Sequence, residues 1–289
     1  VNSKRNTNTI ATKSIFHQHF TFVLNFAFPK SIFYHLKMVK VWKLGLLSHD
    51  TATKIQVALA RRHLDAMAVG LHDTNYDTIL LTEHNPVYTI GIREKTSKEE
   101  ILRLQNLGAE FRKTNRGGLI TFHGPGQLVA YPILNLKHFK NSVRWYVTSL
   151  EETVIKLCDE MGVKGYRSPH TGVWVGEKKI ASIGIHASRY VTTHGIGINC
   201  NCDLSWFNHI DPCGIEDKGV TSLTQETKVE CTVNKIIPVY LRHFEKVFGC
   251  RTEPMPTDEQ EEILSSIFNK LLIENDNKIP EEISKLMSS

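Results

Sequence analysis

The residue order predicts a mixed α/β fold, a sheet with flanking helices, and three observations carry that expectation. From Val41 onward, segments with helical spacing of apolar residues alternate with β-branched runs. Between Val163 and Cys202 those runs shorten and are punctuated by Gly176, Gly184, Gly195 and Gly197, as in strands and hairpins. The chain has 289 residues, 41% hydrophobic and 22% charged, which suffices for a full core of ordinary soluble composition.

The elements follow in order. Thr51 to Leu71 sets Ile55, Leu59 and Ala66 near one helical face, with Arg61, Arg62 and Asp65 off it, and Asp77 to Thr82 then reads as a buried strand. Ser97 and Glu100 form a capping box ahead of Ile101, Leu102 and Leu104, with Gly108 as the stop. A third helix is expected from Ser142 to Met161, ending at Gly162, with Trp145, Leu150, Val154 and Leu157 on its apolar face. Strands are expected at Gly172 to Val175, Ile180 to His186 and Gly195 to Asn199, and a helix from Val233 to Phe248 whose start or straightness Pro238 puts in question. After Pro256, a Thr257/Gln260 capping box opens an acidic amphipathic helix, Asp258 to Leu272, able to dock on the body or to stand apart. No internal repeat or long linker demands a second domain. The expected organisation is a leader at 1–37, one α/β domain over 38–251 and an acidic helical tail at 252–289.

Charge is unevenly spread. The formal net charge is +5, yet residues 1–49 hold seven Lys or Arg and no acid, so residues 50–289 carry 28 basic against 30 acidic side chains, a net of −2. A body of that balance offers little to a phosphate backbone, and no nucleic-acid partner is expected. Val1 to Lys37 is rich in Ser, Thr and Asn, with Lys4, Arg5, Lys13, Lys30 and Lys37 among aromatics; this composition is that of a mitochondrial transit peptide, or else of translated upstream sequence with Met38 as the start. The apolar run Phe20 to Phe28 contains Asn25 and falls short of the roughly 20 residues a spanning helix needs, so no membrane span is expected. Six cysteines without a secretory signal point to a reducing compartment and to mostly buried thiols.

Chemistry concentrates in Arg116 to Gln127, RGGLITFHGPGQ, where Gly117-Gly118 and Gly124-Pro125-Gly126 bracket a strand-like segment and one histidine. Exposed backbone amides and a polar ring can then meet at a strand end. His123 reads either as a site residue or as a cap on turn carbonyls. Cys213, in Asp211-Pro212-Cys213-Gly214, lies on a forced turn unlike a core position, and a thiol there acts as a nucleophile only as thiolate, beside a cation, base or helix N-terminus. Lys178 and Lys179 follow a hairpin turn at Gly176-Glu177, and alternation alone leaves open which of them faces a site. His194 precedes Gly195 and can line a pocket, whereas His186 and His209 read as local hydrogen-bonding residues. Cys200, Cys202, His209 and Cys213 form a possible zinc set, but without paired CxxC knuckles. The chain has no GxxxxGK[ST] loop and no GxSxG elbow, and Gly195-x-Gly197 is followed by Cys200 where a dinucleotide fingerprint needs its third glycine.

Arg116 to Gln127, Lys179-Ile-Ala-Ser-Ile-Gly184, His194-Gly-Ile-Gly-Ile-Asn199 and Asp211-Pro-Cys-Gly214, in this order, closely resemble the octanoyltransferase family of lipoate biosynthesis, over about Val41 to Phe248. The resemblance implies the α/β catalytic-domain fold shared with biotin and lipoate protein ligases. It implies transfer of an octanoyl group from octanoyl-acyl carrier protein to a lysine of lipoyl domains, the acceptors being those of 2-oxoacid dehydrogenases and the glycine cleavage H protein. Cys213 would carry the acyl thioester and Lys179 would lower its pKa. Arg116, Gly117, Gly118, Leu119, Ile120, Thr121, Phe122, His123, Ser182, Ile183, Gly184, Gly195, Ile196 and Gly197 would line the acyl pocket. No cofactor or metal is implied, since an incoming thioester is already activated. The expected location is the mitochondrial matrix, or the cytoplasm if the leader is not translated and the source is bacterial. The competing readings are an ATP-dependent lipoate or biotin ligase on the same fold and a zinc-stabilised binding module.

Overall fold

The computed structural model describes residues 37–71, 75–211, 219–273 and 281–287. The order of elements is β1 (Lys37–Leu47), α1 (His49–Ala68), β2 (Thr78–His84), β3 (Val87–Ile90), α2 (Lys98–Gln105), β4 (Glu110–Lys113), β5 (Thr121–His123), β6 (Gln127–Ile133), α3 (Val143–Glu160), β7 (Tyr166–Arg167), β8 (Val173–Val175), β9 (Lys178–Ser188), β10 (Val191–Asn199), α4 (Leu223–Thr227), α5 (Val233–Phe248), β11 (Cys250–Pro254), α6 (Thr257–Ile273) and α7 (Glu281–Met287). Among the described residues, eight strands form one sheet in the order β11-β1-β2-β6-β10-β9-β8-β7, and β4-β3-β5 form a second. The β11–β1 and β1–β2 pairs are parallel and the remaining pairs of the large sheet antiparallel, so the sheet is mixed, as the sequence predicts.

Burial explains the layers. One sheet face packs Leu150, Val154 and Leu157 of α3 and Ile236, Tyr240 and Phe244 of α5 against Ile79, Leu128 and Ile196. The opposite face covers Leu80, Val129 and Tyr131 with Ile55 and Leu59 of α1 and Ile263, Leu264 and Ile267 of α6. The small sheet has its own core of Tyr88, Ile90, Phe111 and Phe122, closed by Leu104 and Phe207. Phe122 stacks on Trp206 with centroids 5.0 Å apart.

Local rules hold at most helix ends. Ser97 and Ser142 accept from the Glu100 and Trp145 amides at 3.1 and 3.2 Å, and Gly108 and Gly162 take positive φ just beyond α2 and α3. Pro238 lies inside α5. Its missing N–H would have bonded the carbonyl of Asn234, an exposed residue that water can serve, so the helix continues. The tail departs from the expected capping box. Thr257 is already helical, the Gln260 amide donates to the Pro256 carbonyl, and the Gln260 side chain donates to the Met255 carbonyl. The tail also docks: Glu259 pairs with Lys40 at 2.5 Å and with Arg62 at 2.8 Å. Among the described residues, no helix is long and apolar enough to cross a membrane.

Candidate active site

The Gly-rich segment reaches the site through its arginine. Arg116 is buried, and its guanidinium donates to the Thr89 carbonyl and hydroxyl at 2.7 and 2.8 Å and to the Gly117 and Leu119 carbonyls at 2.9 and 3.1 Å. It staples the loop before β5 onto β3. Burial pulls the guanidinium down to about 10, so it stays charged at neutral pH. Strand β9 runs against this loop so closely that a Cβ on Gly184 would lie 2.8 Å from the Arg116 side chain and the Gly117 carbonyl. Only glycine allows that approach.

From Arg116 a buried polar chain crosses the site. The Thr89 hydroxyl sits 3.4 Å from Nε2 of His123, whose Nδ1 meets the Gln127 side-chain oxygen at 2.6 Å. Gln127 Nε2 donates to Asn199 at 2.9 Å, and Asn199 donates in turn to the Thr221 carbonyl at 2.9 Å. The amide orientations require Nδ1 of His123 to carry the proton. Burial, with His84 the next cause, pushes His123 down to about 3 and keeps the ring neutral. Gly197 belongs to this packing, because a Cβ there would meet Gln127 Oε1 at 2.8 Å and His123 Nδ1 at 3.4 Å.

Lys179 is buried while Lys178 is exposed, which answers the question alternation left open. The Lys179 ammonium lies over the Trp174 ring at 4.9 Å, and its backbone pairs with the Gly219 carbonyl at 2.9 Å and the Thr221 amide at 3.0 Å. The described chain therefore resumes beside Lys179 after residues 212–218. Cys213 lies outside the described residues. Near Lys179, Glu151 of α3 accepts from the Gly172 amide at 3.1 Å and pairs with Arg167 at 3.2 Å, anchoring the 168–172 turn.

These elements enclose a cavity of about 330 Å³. Its lining includes Arg116, Gly118, Leu119, Ile120, Thr121, His123, Lys179, Ser182, Ile183, Gly184, Gly195, Ile196 and Gly197. Of the expected pocket residues, Gly117 and Phe122 are not in the lining. Phe122 is turned into the small sheet's core because alternation along β5 sends Thr121 and His123 to the other side. Gly117 instead donates its amide to the Ile185 carbonyl at 3.0 Å. Sequence reasoning missed His49, Val129, Tyr131, Pro169, His170 and Thr171 in the lining. The Pro169 and Gly172 turn was a legible cue for part of this set, whereas His49, Val129 and Tyr131 carry no local signal.

Burial also disfavours the charged form of His84, His194 and His49. His84 donates to the Leu47 carbonyl at 2.8 Å, accepts from the Tyr131 hydroxyl at 2.7 Å and is pushed by burial down to about 4. His194, which bonds Asn115 at 2.7 Å, is also lowered to about 4 by burial and then by Arg116. His49 is lowered by burial and by His84. Arg116 thus supplies fixed positive charge among uncharged rings. Among the described residues no group of three His, Cys, Asp or Glu is placed to hold a metal. Cys200 and Cys202 are buried, and burial raises both thiols, Cys202 to about 12.

Comparison with known proteins identifies the family. Residues 55–245 match the lipoyl protein ligase A/B catalytic domain. The chain is 54% identical over 213 residues to the mitochondrial octanoyl-(acyl-carrier-protein):protein N-octanoyltransferase of Danio rerio, covering 73% of this chain and 93% of that one. It is 40% identical over 222 residues to an octanoyltransferase of a Thermoanaerobacter species, covering 76% and 94%. A crystal structure of lipoate-protein ligase A bound with ATP superposes with a TM-score of 0.60 at 13% identity, over 81% of this chain and 95% of that one, a likeness of fold. The chain belongs to the octanoyltransferases of the lipoyl protein ligase A/B catalytic-domain family.

Proposed function

We propose that this protein takes an octanoyl group from octanoyl-acyl carrier protein onto Cys213 and passes it to a lysine of lipoyl domains, the first step of protein lipoylation. The observation that carries the reading is the cavity of about 330 Å³ with a buried lysine in its wall, beside the point where the chain returns from residues 212–218. The Cys213 thiolate attacks the donor thioester carbonyl, a new C–S bond forms, the old C–S bond breaks and the carrier's sulfur leaves as thiolate. An acceptor lysine amine then attacks, the amide forms, and the Cys213 thiolate departs. Lys179 favours the thiolate by its charge and relays the proton lost by the amine, and backbone amides of the Gly-rich loops receive the oxyanion. Arg116, by contrast, is spent on backbone carbonyls and shapes the pocket. Domain bounds of Met38 to Arg251, with the tail at 252–289, belong to the same reading, as do acceptors on 2-oxoacid dehydrogenases and the glycine cleavage H protein. Mitochondrial naming of the relative from Danio rerio supports the mitochondrion, and the acceptors set the expectation of the matrix.

A thioester exchange followed by downhill amide formation needs no nucleotide, and this separates the reading from an ATP-dependent ligase on the same fold. Intact mass after incubation with octanoyl-acyl carrier protein, without ATP, should rise by one octanoyl group in the wild type and not in Cys213→Ser. Full transfer by Cys213→Ser, or transfer only when ATP is added, would refute the covalent mechanism.

A further inference from the structure

The lysine in the cavity wall is held from behind. Trp174 is fully buried and lies outside the lining that Lys179 joins, so its ring backs the lysine and does not meet a substrate. The pairing of β8 with β9 shifts register between Val173 and Trp174: Val173 faces Ala181 and Trp174 faces Lys179, so that Ile180 is passed over. Residues directly opposite share a face, and here Nζ of Lys179 stands 4.9 Å from the centroid of the Trp174 ring. The ring itself is fixed. Its Nε1–H donates to the His170 carbonyl at 3.0 Å, within the 168–172 turn that Glu151 anchors through the Gly172 amide at 3.1 Å. The lysine stem is confined as well, since a Cβ on Gly172 would lie 3.4 Å from Lys179 Cε and 2.6 Å from the Ala181 carbonyl. A lysine carries its charge on a flexible four-carbon stem, and a buried ammonium without a partner is costly. The negative face of an indole meets both needs.

We propose that Trp174 is the positioning residue for Lys179, its ring face holding the ammonium at the cavity wall where the Cys213 thiolate can pair with it. The inference rests on the covalent reading above. With the face in place, the ammonium waits at one spot. Without it, the stem is free, the lysine spends less time at the wall, and the sulfur loses the neighbouring charge that favours its thiolate.

Two rates are measured for the wild type, Trp174→Phe, Trp174→Leu and proteins carrying mono-, di- or trifluorotryptophan at position 174. One is single-turnover octanoyl transfer from octanoyl-acyl carrier protein to Cys213, by intact mass; the other is iodoacetamide alkylation of Cys213, by peptide mass. The cysteines among the described residues are buried, which directs the label to Cys213. The expected result is a fall of about tenfold or more in both rates for Trp174→Leu and a smaller fall for Trp174→Phe, with the half-saturating carrier concentration unchanged. Each added fluorine should slow both rates further, because fluorine withdraws charge from the ring face while nearly keeping its shape. A ring that only fills space gives a flat fluorine series. That outcome, with an octanoyl adduct still forming on the wild type, overturns the positioning role and leaves the covalent reading intact. Should Trp174→Leu fail to fold, the fluorine series decides in the same way. Wild type that acquires no octanoyl group on Cys213 overturns the covalent reading, and the role of Trp174 with it.

Discussion

Gln127 and Gly197 set the tolerance of the site at the scale of single residues. Gln127 is buried and bonds His123 and Asn199 at once, so Gln127→Leu leaves a ring N–H and an amide oxygen without partners inside the protein. The expected cost is about 2–5 kcal/mol, read as a fall in the urea midpoint, with acyl transfer lost in parallel. Gly197→Ala puts a methyl 2.8 Å from Gln127 Oε1, and a drop in transfer of about tenfold or more is expected, by steady-state rates. Unchanged rates would show that Gln127 can yield the space. The alternation that aims Thr121 and His123 into the cavity was readable. The roles of Arg116 were not, because its four acceptors belong to Thr89, Gly117 and Leu119, and only the folded chain gathers them.

Among the elements, the β9–β10 hairpin and the tail show two kinds of hidden information. Arg189 and Tyr190 form the hairpin turn at φ 51 and 70, where Asn-Gly is the usual choice. Replacing the pair by Asn-Gly should stabilise the protein by about 1–2 kcal/mol in thermal unfolding, since both left-handed residues then sit without a Cβ clash or with a tolerant side chain. A fall in stability would show that Tyr190 makes up the strain by other contacts. For the tail, spacing revealed an apolar face but no partner. Ile263, Leu264, Ile267 and Leu271 share a core with Ile55 and Leu59 of α1, and Glu282 of α7 caps the start of α1 by accepting from the Ser48 amide at 2.9 Å. Deleting residues 257–289 should therefore lower the urea midpoint sharply and give aggregation at 37 °C, because a helix-sized apolar face is uncovered. A stable, monodisperse truncated chain would show that this contact is dispensable.

Across the whole molecule, acid acts through the buried histidines. Burial holds His84 and His194 down at about 4 and His123 at about 3 in the folded state, against about 6.5 when unfolded. Below pH 6.5 the unfolded chain binds protons that the folded one excludes. Stability is therefore full above that pH and falls as pH drops toward 4 and 3, by about 1.4 kcal/mol per pH unit for each histidine. Urea midpoints should decline from pH 7 to pH 5, and a flat profile would show that the unfolded state is not the one taking up protons. Composition, helix spacing and Gly-punctuated strands were enough to determine the α/β class, because these depend on near neighbours in the chain, and the ordered motifs carried the resemblance to the family and, through it, the expectation of most residues that line the cavity. The tertiary structure alone decided that Lys179 and not Lys178 is buried, that His49, Val129 and Tyr131 join the cavity wall and that the tail covers the sheet. Those outcomes depend on which surfaces meet across long stretches of sequence, and periodicity carries no record of the partner.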